Sequence, residues 1–387
     1  MAVRANPELL ASSWRPTAAL GDVRSARTLA FNPDVTFEAR SPSAGFASRY
    51  EAAVGLEIEV AGQRGLRAAA GEAGYRATSR RFADDGRTVL RDVERAYHRL
   101  VAAERRQELV EQISALNGRL AEAVAVQLEE GEVSVLEANL AGIESARARA
   151  LAMEAGSERS TAALELAGLL GLGGDALVRT RGPAPEAGSV ADVDPGTRVE
   201  RALAARPDLL AQEEEVERVR QEARLTGRAV FPNLSVAALA TREDPASDPR
   251  FGVALGFELP LFNRSQGLAE RRRAEVAEAE EARRATSLRV RREVEDAVRT
   301  YESARRQVEL LEEEMLGPIR ENQGLLETAF REGKIDLTEL LLLRNQLLDA
   351  ELSYWSAWER RERARTDLAA ATGEILDGVD LSEGGSR

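Results

Sequence analysis

Short motifs recur along this chain at offsets of 199 to 202 residues, and they stay in the same order. Asn6-Pro7-Glu8-Leu9-Leu10 returns as Arg206-Pro207-Asp208-Leu209-Leu210, and Asn32-Pro33-Asp34-Val35 as Phe231-Pro232-Asn233-Leu234. Gly55-Leu56-Glu57-Ile58 returns as Gly256-Phe257-Glu258-Leu259, Glu130-Gly131 as Glu332-Gly333, and Gly171 as Gly373. Collinearity of this kind marks a tandem duplication, and it restricts the chain to folds built from two copies of one unit. The predicted repeats are 1–187 and 188–376, with 377–387 as a flexible tail.

Within each repeat the hydrophobic period changes twice. Val35, Phe37 and Ala39 alternate with polar residues, as do Tyr50, Ala52, Val54, Leu56 and Ile58; Leu234 to Ala240 and Phe251 to Leu261 behave alike. These patterns predict strands over 33–41, 50–60, 232–241 and 251–261. Long helical patterns follow over 67–129 and 134–170, then over 267–331 and 336–371. The heptad row Leu109, Ile113, Leu116, Leu120 and Val124 belongs to the first of them. Pro318 is expected to kink the third, and Gly118 lies near the matching point of the first. A helical pattern from Thr197 to Ala205 precedes Arg206-Pro207, whereas only five residues precede Asn6. With no apolar leader after Met1, the expectation is an export signal lost to a late start.

Strands of about ten residues with one apolar face fit either a tilted transmembrane β-strand or a half-buried strand of a soluble sandwich. Four strands cannot close a membrane barrel, and an open edge is not tolerated in lipid, so a membrane reading requires several chains to share one barrel. Composition removes other classes. With no cysteine, one histidine and three methionines, soft metal ligands and thiol chemistry are missing. A net charge of −13 argues against nucleic acid. No phosphate loop, catalytic triad or paired catalytic carboxylates stand out, so neither enzyme activity nor a cofactor is expected.

The duplicated Pro-Glu/Asp-Leu-Leu helix starts, the paired strands after Pro33 and Pro232, and a duplicated reversal resemble the TolC-like outer-membrane efflux proteins. The reversal reads Gly, any residue, apolar, Ser or Asp, apolar, any residue, Glu: Gly131, Val133, Ser134, Val135, Glu137 and Gly333, Ile335, Asp336, Leu337, Glu339. The stretch from Gly55 to Arg64 is most similar to the heavy-metal-efflux branch. The resemblance implies a mainly α fold with a small transmembrane β part: a homotrimer whose twelve-stranded β-barrel continues into a long α-helical barrel. It implies a passive exit duct in the outer membrane with helices in the periplasm. The duct would be joined to a periplasmic adaptor and to an inner-membrane pump of the resistance-nodulation-division type, exporting metal cations. Drug export and type I protein secretion remain alternatives within transport, and a soluble coiled-coil scaffold remains one outside it.

For the residues, Gly131 and Gly333 are expected to cap helices with positive φ, and Ser134 and Asp336 to be N-caps. The resemblance adds adaptor contact at Gly131, Val133, Ser134, Gly333, Ile335 and Asp336. It also implies a gating ring at Glu339, with Glu137 a weaker candidate. Lipid-facing carboxylates are costly, so Glu57, Glu59 and Glu258 are expected to line a lumen. His98, Trp355 and Trp358 are expected on helices, the tryptophans as packing residues. The triplets Glu213–Glu215 and Glu312–Glu314 are expected to be solvated helix faces.

Overall fold

The computed structural model describes residues 5–40, 49–173, 178–180, 194–228, 230–243, 247–262 and 264–379. The link between the first two predicted strands (41–48), the repeat boundary at 187/188 and tail residues 380–387 lie outside these. The order is α1 (Pro7–Ser12), α2 (Trp14–Arg27), β1 (Asp34–Arg40), β2 (Arg49–Ile58), α3 (Gln63–Glu129) and α4 (Val135–Leu169). There follow α5 (Pro195–Ala205), α6 (Pro207–Arg228), β3 (Leu234–Arg242), β4 (Arg250–Phe257), α7 (Gln266–Glu314), α8 (Leu316–Arg331) and α9 (Leu337–Thr372). The chain is thus mainly helical with one small sheet. Two compact units arise, each drawing on both halves of the sequence: Ser13–Ala83 with Pro207–Leu288, and Met1–Ser12 with Asp84–Arg206 and Arg289–Arg387.

The first unit carries the sheet, in the order β1-β2-β3-β4 and antiparallel throughout. The registers align Val35, Val54, Ala238 and Val253 in one row across the sheet, Phe37, Ala52, Ala240 and Phe251 in the next, and Leu56, Val236 and Leu255 on the other side. Because side chains alternate between faces, all three rows share one face. The opposite face carries Glu38, Glu51, Thr241 and Arg250, then Thr36, Ala53, Leu239 and Gly252, then Asp34, Gly55, Ala237 and Ala254. A Cβ at Gly55 would stand 2.5 Å from the Asp34 carboxylate, so a side chain there would displace Asp34. In the same unit, Gly71 of α3 lets α2 approach until Val23 and Ala26 lie 3.4 Å from where a Cβ would be. Val216 and Val219 of α6 pack on Val276 and Ala279 of α7.

Strand-to-helix junctions are built alike in both halves. Gly62 (φ 77°) precedes Gln63, whose Oε1 accepts from the Ala61 N–H at 2.8 Å. Ser265 (φ 58°) precedes Gln266, whose Oε1 accepts from the Arg264 N–H, also at 2.8 Å. Left-handed backbone is costly for a residue with a Cβ, so Ser265 carries strain that Gly62 avoids.

The second unit is helical, and its contacts are rich in alanine, which allows close helix approach. Ala96, Leu100 and Ala103 of α3 pack on Ala162, Ala163 and Leu166 of α4. Val101 and Ala102 pack on Val308 of α7 and on Tyr354, Ala357 and Trp358 of α9. Trp358 is buried and meets Trp355 edge-on at 5.7 Å, so both tryptophans pack helices as expected. Near Pro318 the third long helix is interrupted rather than merely bent: α7 ends at Glu314, and α8 restarts after Met315 with Pro318 in its first turn, where no N–H is needed. α3 runs unbroken through Gly118. Residue Asp377 of the predicted tail is held by Arg201 at 2.5 Å.

The residues before the two Pro-Glu/Asp-Leu-Leu starts tether equivalent places. Asn6 Nδ2 donates to the Leu169 carbonyl at 2.9 Å, closing the end of α4, while Asn6 Oδ1 caps the Leu9 N–H. Arg206, 2% exposed, donates to the Ala371 carbonyl near the end of α9 and pairs with Glu293 at 2.5 Å. The Glu213–Glu215 triplet is not simply solvated. Glu214 pairs with Arg76 at 2.8 Å, and Glu215 with Arg218 at 2.6 Å and with Arg81 at 3.2 Å. Glu312 likewise accepts from the Tyr354 hydroxyl at 2.8 Å.

Candidate functional site: an uncovered sheet and two helix reversals

Among the described residues, no element packs over most of the apolar face of the sheet. Val35, Phe37, Phe251, Val253 and Leu255 are each about as open as free side chains, with Leu255 at 69%. Isolated exposed hydrophobics are ordinary, but a contiguous face across four strands is not. Both edge strands, β1 and β4, also have one side without a hydrogen-bonded neighbour among the described residues.

The polar face continues into a recess lined by Glu57, Glu59, Asn233, Glu258, Arg67 and Arg272. Glu57 accepts from Asn233 Nδ2 at 2.7 Å. Glu59 takes two hydrogen bonds from Arg67, at 2.6 and 3.0 Å, so its charge is matched locally. Glu258 lies just past β4 and is exposed. The recess therefore combines three carboxylates with two guanidinium groups, a more mixed lining than the acids alone suggest.

Each reversal in the helical unit is a pair of caps. At the end of α3, Gly131 (φ 75°) allows the Glu132 N–H to reach the Gln127 carbonyl at 2.9 Å and the Gly131 N–H to reach Leu128 at 3.1 Å. After α8, Gly333 (φ 67°) does the same, with Lys334 bonded to Ala329 at 2.9 Å and Gly333 to Phe330 at 3.0 Å. These are Schellman closures, and only glycine adopts that φ without penalty. Ser134 then starts α4 with a complete capping box: its Oγ accepts from the Glu137 N–H at 3.2 Å, and Glu137 Oε2 accepts from the Ser134 N–H at 2.7 Å. Those bonds from Ser134, backbone first, hold the Glu137 carboxyl below its ordinary pKa. Asp336 caps α9 by accepting from the Glu339 N–H at 2.7 Å. Ser134→Ala should therefore cost about 1 kcal/mol, read as a fall in the thermal midpoint of the purified protein.

The two reversals differ above their caps. Val133 packs with Val124, Ala141, Leu337 and Leu341 beneath the tip, and Ile335 is half-buried. Val135 and Leu136 point outward, Leu136 being 78% exposed, while the matching Leu337 is buried. The sequence pattern treats Val135 and Leu337 as equivalent and so misses this pair. Its signal is two adjacent apolar residues in the first turn of α4. Glu339 is exposed at the tip, whereas Glu137 is committed to its cap. Further along the helices, Asn345 of α9 donates to Glu144 of α4 at 3.0 Å, tying the two helix pairs together.

A sheet with open edges and one exposed apolar face, on a chain of long paired helices, is the pattern of a protein that sets strands in a membrane. The chain belongs to the outer membrane efflux protein family, which it matches over residues 1–172 and 199–374. Solved structures agree on the fold. A membrane protein from Pseudomonas aeruginosa superposes with a TM-score of 0.81 at 21% identity, over 96% of this chain and 88% of that one. The CmeC outer membrane channel of Campylobacter jejuni gives 0.81 at 15% identity, over 99% and 86%. The open state of the MtrE outer membrane channel of Neisseria gonorrhoeae gives 0.78 at 16%, over 96% and 87%. Comparison with curated protein sequences finds no significant match. The protein is an outer-membrane efflux channel component and not an enzyme. No helix among the described residues is long and apolar enough to cross a membrane.

Proposed function

We propose that this chain is the exit duct of a tripartite efflux system, working as a homotrimer. Three sheets joined edge to edge, β4 of one chain beside β1 of the next, give a twelve-stranded barrel with the apolar rows facing lipid. The observation that carries this reading is the uncovered apolar face bounded by two open edges. In lipid such edges must pair, and a single four-stranded sheet cannot close on itself. The chain itself is a tandem duplication of a helix–strand–strand–long helix–helix unit over 1–187 and 188–376. The paired tethers of Asn6 to Leu169 and Arg206 to Ala371, and the twin Gly62-Gln63 and Ser265-Gln266 junctions, support that origin.

The two tips dock a periplasmic adaptor, which links the duct to an inner-membrane pump of the resistance-nodulation-division type. Gly131, Val133, Ser134, Gly333, Ile335 and Asp336 shape the contact. Glu339, on the rim, narrows the closed end, and Glu57 and Glu258 give the bore a general preference for cations. Metal cations are the exported class, on the likeness of the stretch from Gly55 to Arg64 to the heavy-metal branch. Selection among metals resides in the pump and adaptor, because the chain, with no cysteine and one histidine, cannot gather soft ligands. The test is a deletion strain challenged with transition metals and with drugs. Metal sensitivity alone, restored by the intact gene, is the expected result; drug sensitivity alone would redirect the assignment.

A further inference from the structure

The chain's single histidine is buried where α9 packs on α3. His98 is 3% exposed, and the rings of Tyr97 and Trp358 meet it edge-on at 5.4 and 5.8 Å. Its Nε2 stands 3.2 Å from a guanidinium nitrogen of Arg365, which can only donate. Nε2 is therefore the acceptor, the proton sits on Nδ1, and Nδ1 is buried with no hydrogen-bond partner among the described residues. The nearest carboxylate, Glu362, lies 3.9 Å from Nε2 but is already held by Arg361 and Arg365, each at 2.9 Å. A second proton on this imidazole would face the Arg365 guanidinium at 3.2 Å, nearer than the Glu362 carboxylate at 3.9 Å.

Other charged groups on the facing elements have partners of their own. On α3, Glu94 accepts from Thr366 at 3.3 Å, Arg95 pairs with Asp367 of α9, and Arg99 pairs with Glu165 of α4 at 2.6 Å. Glu312 of α7 lies 4.0 Å from Arg361. Arg106 of α3 is shared between Glu359 of α9 at 2.6 Å and Glu158 of α4 at 3.4 Å. Burial is the main cause that lowers the His98 pKa from 6.5 to about 4; Glu362 opposes this, and Arg365 and Arg361 add to it. Burial raises Glu359, so its protonation favours the packed seam and cannot be the trigger.

We propose that His98 makes the α3–α9 seam an acid-sensitive latch, closed while the imidazole is neutral and released when it takes a proton. Above pH 6.5 the histidine is neutral whether the seam is open or closed, and it exerts no bias. Between pH 6.5 and about 4 the open form binds the proton and the closed form does not, so the closed form loses ground as pH falls. The closed-to-open ratio should drop by roughly a few hundred-fold across that interval. α9 also carries the second tip from Leu337 onward, so its release changes the helix on which the reversal at Gly333 is built.

The experiment uses the full chain in detergent and needs no adaptor or pump, so its failure is separate from any failure of the export reading. Trp14→Phe and Trp355→Phe leave Trp358 as the reporter, because an imidazolium against an indole quenches its emission. The absence of cysteine allows spin labels at Glu108→Cys and Arg363→Cys to report the α3–α9 distance. Quenching and a broadened label distance should appear together, with a midpoint between pH 6.5 and about 4, and both should vanish in His98→Gln. A midpoint above 6.5 or below about 4, quenching without movement, or an unchanged transition in His98→Gln would each overturn the latch. Should His98→Gln fail to assemble, the midpoint measured with native His98 decides.

Discussion

Arginine at Leu255, or at Val54, is expected to keep the protein from assembling in the outer membrane. Both positions lie in rows of the uncovered face, well inside the sheet rather than at its ends. An arginine there would project into hydrocarbon at a cost of about 2–4 kcal/mol near mid-bilayer. If three chains share one barrel the penalty is incurred three times, which is comparable with the whole stability of a domain. Thr36→Arg is the matched control. Thr36 pairs with Ala53 on the opposite face, so its arginine would meet water in the bore. The measurement is the amount of heat-resistant trimer recovered from outer-membrane fractions. Loss with Leu255→Arg and retention with Thr36→Arg is the expected pair of results. Equal assembly of the two variants would mean that the apolar face does not meet lipid.

The faces of the sheet were legible in the sequence because a strand's period of two writes the burial of each face into alternate residues. Leu255 and Gly256 declare opposite sides whatever surrounds them. The reversals were legible for a similar reason: positive φ at Gly131 and Gly333, and a cap three residues later, are local requirements that local sequence must meet. What stayed hidden depends on partners far along the chain. Nothing near Glu214 announces Arg76, and nothing near Arg206 announces the Ala371 carbonyl, since these pairs form only when distant helices pack. The composition of the two compact units was hidden in the same way, as each takes segments from both halves of the chain. Long helix patterns also say little about interruption. Pro318 marked the right neighbourhood, but the break falls at Met315 because Pro318, lacking an N–H, cannot bond back to Glu314.

Gly333→Pro is expected to abolish export while leaving the trimer assembled. At this position the backbone has φ 67°, which the proline ring, fixed near −65°, cannot adopt. The Gly333 N–H also closes the last turn of α8 on the Phe330 carbonyl, and proline has no N–H to donate. With that closure lost, the Lys334 bond to Ala329 and the Asp336 cap on Glu339 no longer meet in one turn, and α9 starts in the wrong direction. A penalty of about 3 kcal/mol or more falls on a tip whose own closure rests on few bonds, while the sheet belongs to the other compact unit. Gly131→Val should act in the same sense at the first tip, because a β-branched residue at φ 75° is strongly disfavoured. Export assays on cells, read beside the trimer band from the same membranes, separate the two effects. Normal export by both variants would remove the tips from the docking surface. Loss of the trimer would show instead that the reversals support assembly of the barrel.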